Sequence, residues 1–382
     1  LRTPFLLNGH EVFVSTSIGI KPTRSDSLDQ AVTSPPAEQL ELSRAETMAE
    51  ALAEASSTRW PEDAAFSADA HLRDADVAMY RAKSKGRSRY EIFDPEMNAR
   101  ALERLRLETD LRQAVERNQL CLHYQPIVRA QNGSLIGFEA LLRWQHPELG
   151  LLKPEAFLTL AEEAGLIWEI GHWAMEEACR QIRNWQELVP TALAQKNEAD
   201  FSVSLHMNVN LSARQFRQPE LVSQLHQILE HASLNPNCIT LEITESVIMD
   251  EAEKTVDTLR NLKTLGVSLA IDDFGTGYSS LSYLRRFPVD TLKIDRSFIH
   301  NLGAQSEETE IVRAILSLAR TLRLKVVAEG VETEEQLAQL QALDCDLVQG
   351  FLFSPPLSSQ DASALLMNSQ STSPGFGQQM QR

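Results

Sequence analysis

Residues 267–273 read Val-Ser-Leu-Ala-Ile-Asp-Asp, a short apolar run that ends in two adjacent aspartates. The length and composition of the run predict a buried strand over 267–271. The glycine-containing segment Phe-Gly-Thr-Gly-Tyr-Ser-Ser follows at 274–280 and indicates a loop. An acidic residue after a single strand is more often a helix cap or a surface charge, so its meaning depends on what the other strands carry.

Similar apolar runs recur along the chain and alternate with helical patterns. The predicted strands are 121–128, 135–142, 202–210, 239–243, 267–271, 291–294, 325–328 and 347–351. The predicted helices between them include 154–164, 168–188, 219–231, 252–265, 307–321 and 334–343. Strands with helical crossovers in this number predict a parallel α/β barrel. A doubly wound open sheet is the alternative, but the first strand lacks the glycine-rich phosphate turn of that fold.

Nearly every predicted strand in this region ends in a carboxylate, an amide or a lysine. These residues are Glu139, Asn210, Glu242, Glu245, Asp272, Asp273, Lys293, Asp295, Glu329, Glu332 and Gln349. The C-terminal strand ends of a barrel meet on one face, where barrels of this kind build active sites. Carboxylates crowded there cannot all be ionised without cations, and oxygen ligands favour Mg²⁺ or Mn²⁺ over zinc. Two adjacent aspartates can bridge two ions, an arrangement suited to phosphoester hydrolysis, and a lysine there can orient the attacking water.

The motifs around these residues resemble those of the EAL domain, a family of phosphodiesterases that act on cyclic di-GMP. The resemblance runs from about residue 105 to residue 366. The matching motifs are YQPI (124–127), EALLRW (139–144), NLSARQF (210–216), LEITES (241–246), DDFGTGY (272–278), KID (293–295), AEGVE (328–332) and QGFLF (349–353). It implies a TIM-like (β/α)8 barrel of the EAL type, with the first strand antiparallel to the others.

The resemblance also implies a role for each matching residue. The ligands of two Mg²⁺ or Mn²⁺ ions would be Glu139, Asn210, Glu242, Asp272 and Asp273. The catalytic residues would be Glu139, Lys293 and Glu329. The residues that hold the dinucleotide would be Gln125, Arg143 and Asp295. Supporting roles would fall to Glu245, which orders the loop 273–280, and to Glu332 and Gln349.

The N-terminal third carries a second resemblance. The segments VSTSIGI (14–20) and ADVAMYRAKSKGR (75–87) resemble the C-terminal part of a GGDEF, or diguanylate cyclase, domain. The signature Gly-Gly-Asp/Glu-Glu-Phe turn of that family is absent from this chain. We therefore expect a truncated α/β segment that cannot synthesise cyclic di-GMP. Its predicted elements are a strand over 11–20, a helix over 72–83 and a strand over 89–93.

These patterns divide the chain into four parts. The expected parts are a GGDEF-like segment over 1–95 with an irregular insertion over about 21–70, a connecting helix over 96–118, an EAL domain over 119–367 and a disordered tail over 368–382. The chain opens Leu1-Arg2-Thr3-Pro4 without a methionine or a signal peptide. We therefore expect a fragment of a longer protein whose upstream sensor or cyclase portion is missing here.

Composition excludes some classes of function. The 53 acidic residues outnumber the 36 basic ones, and the formal net charge of −17 argues against binding a nucleic-acid polymer through a broad basic face. No apolar run is long enough to span a membrane. The 4 cysteines show no Cys-x-x-Cys pair, so we expect buried free thiols and a cytoplasmic location.

Three hypotheses about function follow. The first is metal-dependent hydrolysis of cyclic di-GMP to linear pGpG by a water that two ions activate, in bacterial second-messenger signalling. The second is an EAL fold that binds cyclic di-GMP without cleaving it. The third is a barrel hydrolase that acts on another phosphodiester. The resemblance further implies a homodimer that forms through the loop after Asp273.

Overall fold

The structure is a computed structural model that describes residues 5–7, 10–12, 18–20, 68–84, 90–93, 95–188, 205–250, 252–277, 281–303 and 307–369. The chain divides into two compact units, Leu1–Leu107 and Glu108–Arg382. The predicted insertion over 21–70 lies outside the described residues except for its last three positions, which are helical. Residues 368 and 369 belong to a helix rather than to the predicted tail, and the rest of that tail lies outside the described residues.

The N-terminal unit contains two small sheets. Strands β1 (Phe5–Leu7) and β2 (His10–Val12) pair in antiparallel fashion, and β3 (Ile18–Ile20) pairs in parallel with β4 (Tyr90–Ile92). Helix α1 (Ala68–Ser84) lies between β3 and β4 in the sequence. The strand predicted over 11–20 is therefore observed as parts of two strands, and the residues between them lie outside the described ones.

The second unit is a closed barrel of eight strands, as the sequence predicts. Its strands are β5 (Leu120–Arg129), β6 (Leu135–His146), β8 (His206–Asn210), β9 (Ile239–Thr244), β10 (Ser268–Phe274), β11 (Thr291–Ile294), β12 (Lys325–Ala328) and β13 (Leu347–Val348). The ladder closes where β13 pairs with β5. The first strand, β5, is antiparallel to both of its neighbours, and the other neighbouring strands of the barrel are parallel. This confirms the EAL-type barrel.

Helices connect the strands and cover the barrel. The helices from α2 onward are α2 (Pro95–Ala114), α3 (Pro154–Glu163), α4 (Ile167–Leu188), α5 (Ala213–Phe216), α6 (Leu221–His231), α7 (Glu245–Asp250), α8 (Ala252–Thr264), α9 (Leu281–Leu284), α10 (Arg296–His300), α11 (Glu307–Leu322), α12 (Glu334–Ala342) and α13 (Ser359–Ser369). Helix α11 shows why they pack, because Val312, Ile315, Leu316 and Ala319 form one apolar stripe and all are buried. None of the helices in the described part of the chain has the length and apolar character that a membrane crossing needs.

Two strands differ from the sequence prediction for local reasons. Strand β7 (Gly150–Leu152) was not predicted, because it has only three residues and depends on a hairpin with the end of β6. The ring of His146 fixes that hairpin, since its Nδ1 accepts the backbone N–H groups of Glu148 and Leu149. Strand β13 ends at Val348 instead of residue 351, because the backbone at Gly350 packs against Val331 so closely that a Cβ there would lie 2.1 Å from a carbonyl oxygen.

Candidate active site

The candidate residues meet at one end of the barrel, where the parallel strands finish. Strand β8 ends at Asn210, β11 ends one residue after Lys293, and β12 is followed directly by Glu329. Glu139 on β6 lies directly opposite Gln125 on the antiparallel strand β5, so the first two strands also contribute to this end. The barrel geometry therefore gathers residues that are far apart in the sequence, as predicted from the polar strand ends.

Lys293 stands at the centre of the site and is completely buried. Its Nζ lies 2.6 Å from Glu329 Oε1 and 2.8 Å from Glu242 Oε2. The same atom lies 3.2 Å from Asp272 Oδ1 and 3.5 Å from Glu139 Oε2. One ammonium group therefore faces four carboxylates, and the cluster retains an excess of negative charge when all are ionised.

Side-chain amides hold the carboxylates of this cluster in place. Asn210 Nδ2 donates to Glu139 Oε1 at 2.7 Å, and Gln349 Nε2 donates to Glu139 Oε2 at 2.6 Å. Gln349 Nε2 also lies 3.0 Å from Gln125 Oε1, which joins the last strand of the barrel to the first. Both oxygens of Glu139 are thereby fixed by donors, so this carboxylate has one defined orientation.

Asn208 is a member of the site that the sequence analysis missed. Its Nδ2 donates to Glu242 Oε1 at 2.8 Å, and the side chain is buried. The sequence does indicate this position. Asn208 and Asn210 stand two positions apart on β8, and residues two positions apart on a strand share a face. A polar residue inside an otherwise apolar strand of a barrel points to the interior network.

A distortion in β10 brings its two aspartates to the same place. Successive side chains of a regular strand face opposite sides, but the pairing of β10 with β11 shifts between Ile271 and Phe274. Asp273 has a φ of 54°, in the left-handed region that aspartate tolerates better than most residues. Oxygen atoms of Asp272, Asp273 and Glu329 consequently all lie within 4.8 Å of one another. Sequence pattern alone predicted a strand that stopped before this bulge.

The protonation equilibria reflect the crowding of acids. Burial, together with neighbouring carboxylates, raises the pKa of Glu329 to about 8. Burial and the charge of Glu139 raise the pKa of Glu242 well above its ordinary value. Burial would lower the pKa of Lys293, but the surrounding carboxylates outweigh it and hold that pKa well above normal. Burial would likewise raise the pKa of Glu139, yet Lys293 and the amide donors keep it low.

The donor set fits divalent cations. Carboxylates and amides are hard oxygen ligands, and they form the group that Mg²⁺ and Mn²⁺ prefer. Asp272, Asp273 and Glu329 already place their oxygens close enough for a shared ion. In addition, Gln349 Oε1 is buried and accepts no hydrogen bond from the described residues, so it has an unused lone pair beside this cluster. An acidic centre with excess negative charge and an unsatisfied acceptor is stabilised when a cation binds.

The predicted substrate-binding residues lie around this cluster. Arg143 is largely buried, donates to the carbonyl of Leu142 at 2.7 Å, and forms no ion pair within the described part of the chain. Gln125 Nε2 donates to the carbonyl of Ser354 at 3.2 Å. The carboxylate of Asp295 caps helix α10, because it accepts the backbone N–H of Ser297 at 2.9 Å. The guanidinium group of Arg143 therefore remains available for an anionic ligand.

The two supporting glutamates are placed differently. Glu245 is buried, and its Oε2 accepts the backbone N–H of Gly275 at 2.8 Å, so it contacts the loop after β10. Glu332 is exposed, and its backbone N–H donates to Gln336 Oε1 at 2.7 Å. The structure brings Glu245 into contact with the loop after β10 and leaves the side chain of Glu332 outside the carboxylate cluster.

The comparison with protein-family models identifies the family of the barrel. The model of the EAL domain matches residues 108–356, which contain every residue of the cluster around Lys293. The chain belongs to the EAL domain family. No model of the cyclase family matches the N-terminal region. The GGDEF resemblance of that region therefore stays a prediction.

Relatives and solved structures place this EAL domain among known ones. The chain is 50% identical over 290 residues to the bifunctional diguanylate cyclase/cyclic di-GMP phosphodiesterase MucR of Pseudomonas aeruginosa, which covers 76% of this chain and 41% of that protein. It is 44% identical over 286 residues to the cyclic di-GMP phosphodiesterase NbdA of the same organism, covering 75% of this chain and 35% of the relative. The chain thus spans less than half the length of these curated relatives.

Two structures illustrate the shared fold. The structure described as "PaMucR Phosphodiesterase, c-di-GMP complex" is 49% identical with a TM-score of 0.62, and the match covers 67% of this chain and 99% of that one. The EAL enzyme Bd1971 in its cAMP- and cyclic-di-GMP-bound form is 31% identical with a TM-score of 0.66, and the match covers 83% of this chain and 79% of that one. Both comparisons support the EAL-type barrel described above.

Proposed function

We propose that this EAL domain hydrolyses cyclic di-GMP to linear pGpG with the help of two divalent ions, in bacterial second-messenger signalling. The observation that carries the proposal is the cluster of four carboxylates around Lys293 at the C-terminal end of the barrel. The relatives MucR and NbdA are named as cyclic di-GMP phosphodiesterases, which supports the same substrate.

The residues that would hold two Mg²⁺ or Mn²⁺ ions are Glu139, Asn210, Glu242, Asp272 and Asp273. Such ions, when bound, supply the positive charge that acidifies water and neutralises the phosphodiester. Asp272 and Asp273 lie at the β10 bulge, whose geometry directs both carboxylates towards Glu329. The protein's contribution is a set of rigid oxygen ligands, fixed by amide donors and by Lys293.

Three side chains have further roles in the proposed reaction. An oxygen of Glu329 lies within 4.8 Å of oxygens of Asp272 and Asp273, beside the proposed ions, so we assign to Glu329 the acceptance of the proton that the attacking water loses. Lys293, whose Nζ lies 2.6 Å from Glu329 Oε1, stabilises the carboxylate form of that base. Arg143 forms no ion pair among the described residues, and we assign it a contact with a phosphate oxygen of the dinucleotide. Gln125, and Asp295 beyond its capping contact, would position the substrate.

The proposal also covers the N-terminal unit and the contact through which the chain would form a homodimer. The parallel pair of β3 and β4, with helix α1 between them in sequence, is consistent with part of a GGDEF-like α/β segment. We assign no cyclase activity to it, because the signature turn is absent from this chain. We place the dimer contact at the loop after Asp273, where Glu245 joins that loop to the metal-ligand strand.

The test is hydrolysis of cyclic di-GMP by this chain with Mg²⁺ or Mn²⁺, followed by separation of the products. We expect pGpG, and we expect it to disappear with a chelator and in Glu139→Gln. The matched control is Glu253→Gln, which removes an exposed glutamate on helix α8 and leaves the cluster intact. Full activity in Glu139→Gln with metal present would show that the assigned centre is wrong.

Two other outcomes would favour the alternative functions. Metal-independent binding of intact cyclic di-GMP without cleavage would identify a receptor instead of an enzyme. Cleavage of linear dinucleotides with no action on cyclic di-GMP would identify a hydrolase of a different phosphodiester. Each outcome can be read from the same incubation, if bound and free nucleotide are separated before analysis.

A further inference from the structure

The barrel has a second cavity at the end opposite the candidate active site. It has a volume of about 210 Å³, well above the roughly 10–15 Å³ that a cavity needs to hold one water molecule. Its lining includes the first residues of five strands, which are His206, Ser268, Thr291, Lys325 and Leu347. The parallel strands begin at this end of the barrel, whereas the carboxylate cluster lies at the end where they finish.

The lining of this cavity combines aliphatic side chains with hydroxyl groups. Thr240, Ser268 and Thr291 line its wall, and the amide of Asn208 contributes to the lining from deeper along β8. Apolar contacts come from Ile127 and other aliphatic side chains. Hydroxyl groups and an amide are able to hydrogen-bond to the oxygens of a small polar ligand.

Two cations at the mouth of the cavity have no acidic partner. Arg129 and Lys325 line the mouth and are exposed, and neither forms an ion pair within the described part of the chain. The pKa of the His206 imidazole, also in the lining, is lowered by burial and then by the charge of Lys325. The charge of Lys325 therefore acts on the ring of His206.

The acids of the lining are already engaged. Asp290 accepts two contacts from Lys263 Nζ, at 2.9 and 2.7 Å, and the backbone N–H of Leu269 at 2.8 Å. Asp346 accepts the backbone N–H of Val326 at 2.9 Å. These aspartates fix the starts of β10 and β12, and the charge of Asp290 is balanced by Lys263. The uncompensated charge that remains at the mouth is predominantly positive.

We propose that this cavity is a second binding site, separate from the catalytic centre, for a small phosphate-bearing anion. Arg129 and Lys325 would contact the phosphate oxygens, since Arg can offer two parallel N–H donors and Lys a mobile point charge. The hydroxyl groups of Thr240, Ser268 and Thr291 would hold the remaining oxygens or the rest of the molecule.

The cavity also touches the active-site network. Asn208 lines the cavity and donates through Nδ2 to Glu242 Oε1, and Glu242 Oε2 contacts Lys293. A ligand that binds against Asn208 therefore lies one side chain away from the carboxylate cluster. The site can be tested by binding alone, so its failure would leave the proposed hydrolysis untouched.

The test uses His206 as a reporter inside the lining. Imidazole resonances of the full-length chain are followed by NMR while inorganic phosphate is added at constant pH and constant ionic strength, and His206 is assigned with His206→Gln. We expect a saturable shift of the His206 signal in the wild-type chain. We expect the double variant Arg129→Gln/Lys325→Gln to bind at least tenfold more weakly, because it removes both cations of the mouth.

A matched variant and two further probes make the result decisive. Arg313→Gln removes an exposed arginine of helix α11 that does not line the cavity, and it should bind phosphate like the wild type. A His206 signal that does not move, or that moves equally in the double variant, overturns the proposal. Saturation by malonate but not by phosphate overturns the phosphate assignment. Tighter binding of glycerol 3-phosphate identifies a phosphomonoester as the ligand, and weaker binding identifies free phosphate.

Discussion

Lys293 is the residue on which the charge balance of the carboxylate cluster depends, because its Nζ lies within 3.5 Å of four acidic side chains. We expect Lys293→Met to lower kcat by about 10²–10³-fold, since a preorganised charge is lost from the reacting centre. Removing the buried cation also leaves the acids unpaired, which should cost about 3–5 kcal/mol of unfolding free energy. Steady-state hydrolysis and urea unfolding measure the two effects.

The pH dependence of the stability of Lys293→Met distinguishes a loss of charge interactions from a loss of packing. Without Lys293 the folded-state pKa values of the surrounding carboxyl groups rise above their unfolded values, so the folded state binds more protons. The stability deficit should therefore shrink as pH falls and grow as pH rises. The matched control is Lys153→Met, which removes an exposed lysine before helix α3 and should change stability by no more than about 0.5 kcal/mol. A deficit that does not change with pH would assign the effect to lost packing.

The raised pKa of Glu329 predicts that the affinity of the site for metal depends on pH. Its pKa of about 8 means that the side chain holds a proton at pH 7 in the metal-free protein. A cation must displace that proton, so the apparent affinity for Mn²⁺ should fall by up to about tenfold for each pH unit below 8. Calorimetric titration between pH 6.5 and 9 measures the slope, and Glu329→Gln should flatten it. An unchanged slope in that variant would place the titrating group elsewhere.

At the scale of secondary-structure elements, the segment from the β10 bulge to Gly277 depends on Glu245. We expect Glu245→Ala to leave the Gly275 N–H without its acceptor at a cost of about 1–3 kcal/mol, and to weaken metal binding because Asp273 belongs to the same segment. Glu245→Gln keeps an acceptor oxygen, so its stability and its metal affinity should lie between those of the wild type and those of Glu245→Ala. Hydrogen exchange at Gly275 and Mn²⁺ affinity report the effect. Wild-type protection in the alanine variant would contradict the role of this contact.

The elements also show how far sequence reasoning reaches. The sequence predicts the strands over 291–294 and 325–328 with their observed bounds. In a barrel, a short and largely apolar run between polar residues indicates a buried strand. The reversed direction of β5 came only from the family resemblance. A signal was nevertheless present, since the short segment between the first two predicted strands is too brief for a crossover helix.

Other parts of the site depend on contacts that no local pattern encodes. The bulge at Asp273 arises from the shifted pairing of β10 with β11, and the contact of Asn208 with Glu242 joins the neighbouring strands β8 and β9. The positions of the carboxylates and the lysine at successive strand ends predicted that these side chains lie together, because the C-terminal ends of barrel strands meet on one face. Glu332 shows the limit of such motif matching. It belongs to the matching motif AEGVE (328–332), and yet its side chain is exposed and lies outside the cluster.

At the scale of the whole molecule, helix α2 sets the boundary of the catalytic unit. Leu111 and Ala114 near its C-terminal end are buried, and Asp110 lies 3.4 Å from His146 Nε2. We expect a chain that begins at Pro95 to fold and to retain hydrolysis. A chain that begins at Gln119 should be less stable by roughly 2–5 kcal/mol, the cost of emptying a large buried site. Thermal unfolding and the hydrolysis assay compare the two, and equal stability would show that α2 is only a connector.

The closure of the barrel has a consequence for the time at which the enzyme becomes competent. Gln125 and Gln349 contact each other across the seam between the first and last strands, and Gln349 also holds Glu139. These residues are 224 positions apart in the sequence, so the ribosome synthesises Gln125 long before Gln349. A nascent chain therefore exposes its acidic residues long before it can orient them, and under the proposed activity turnover would begin only when translation of the domain is almost finished. Under the proposed activity, interrupted translation products would leave the cellular pool of second messenger undisturbed.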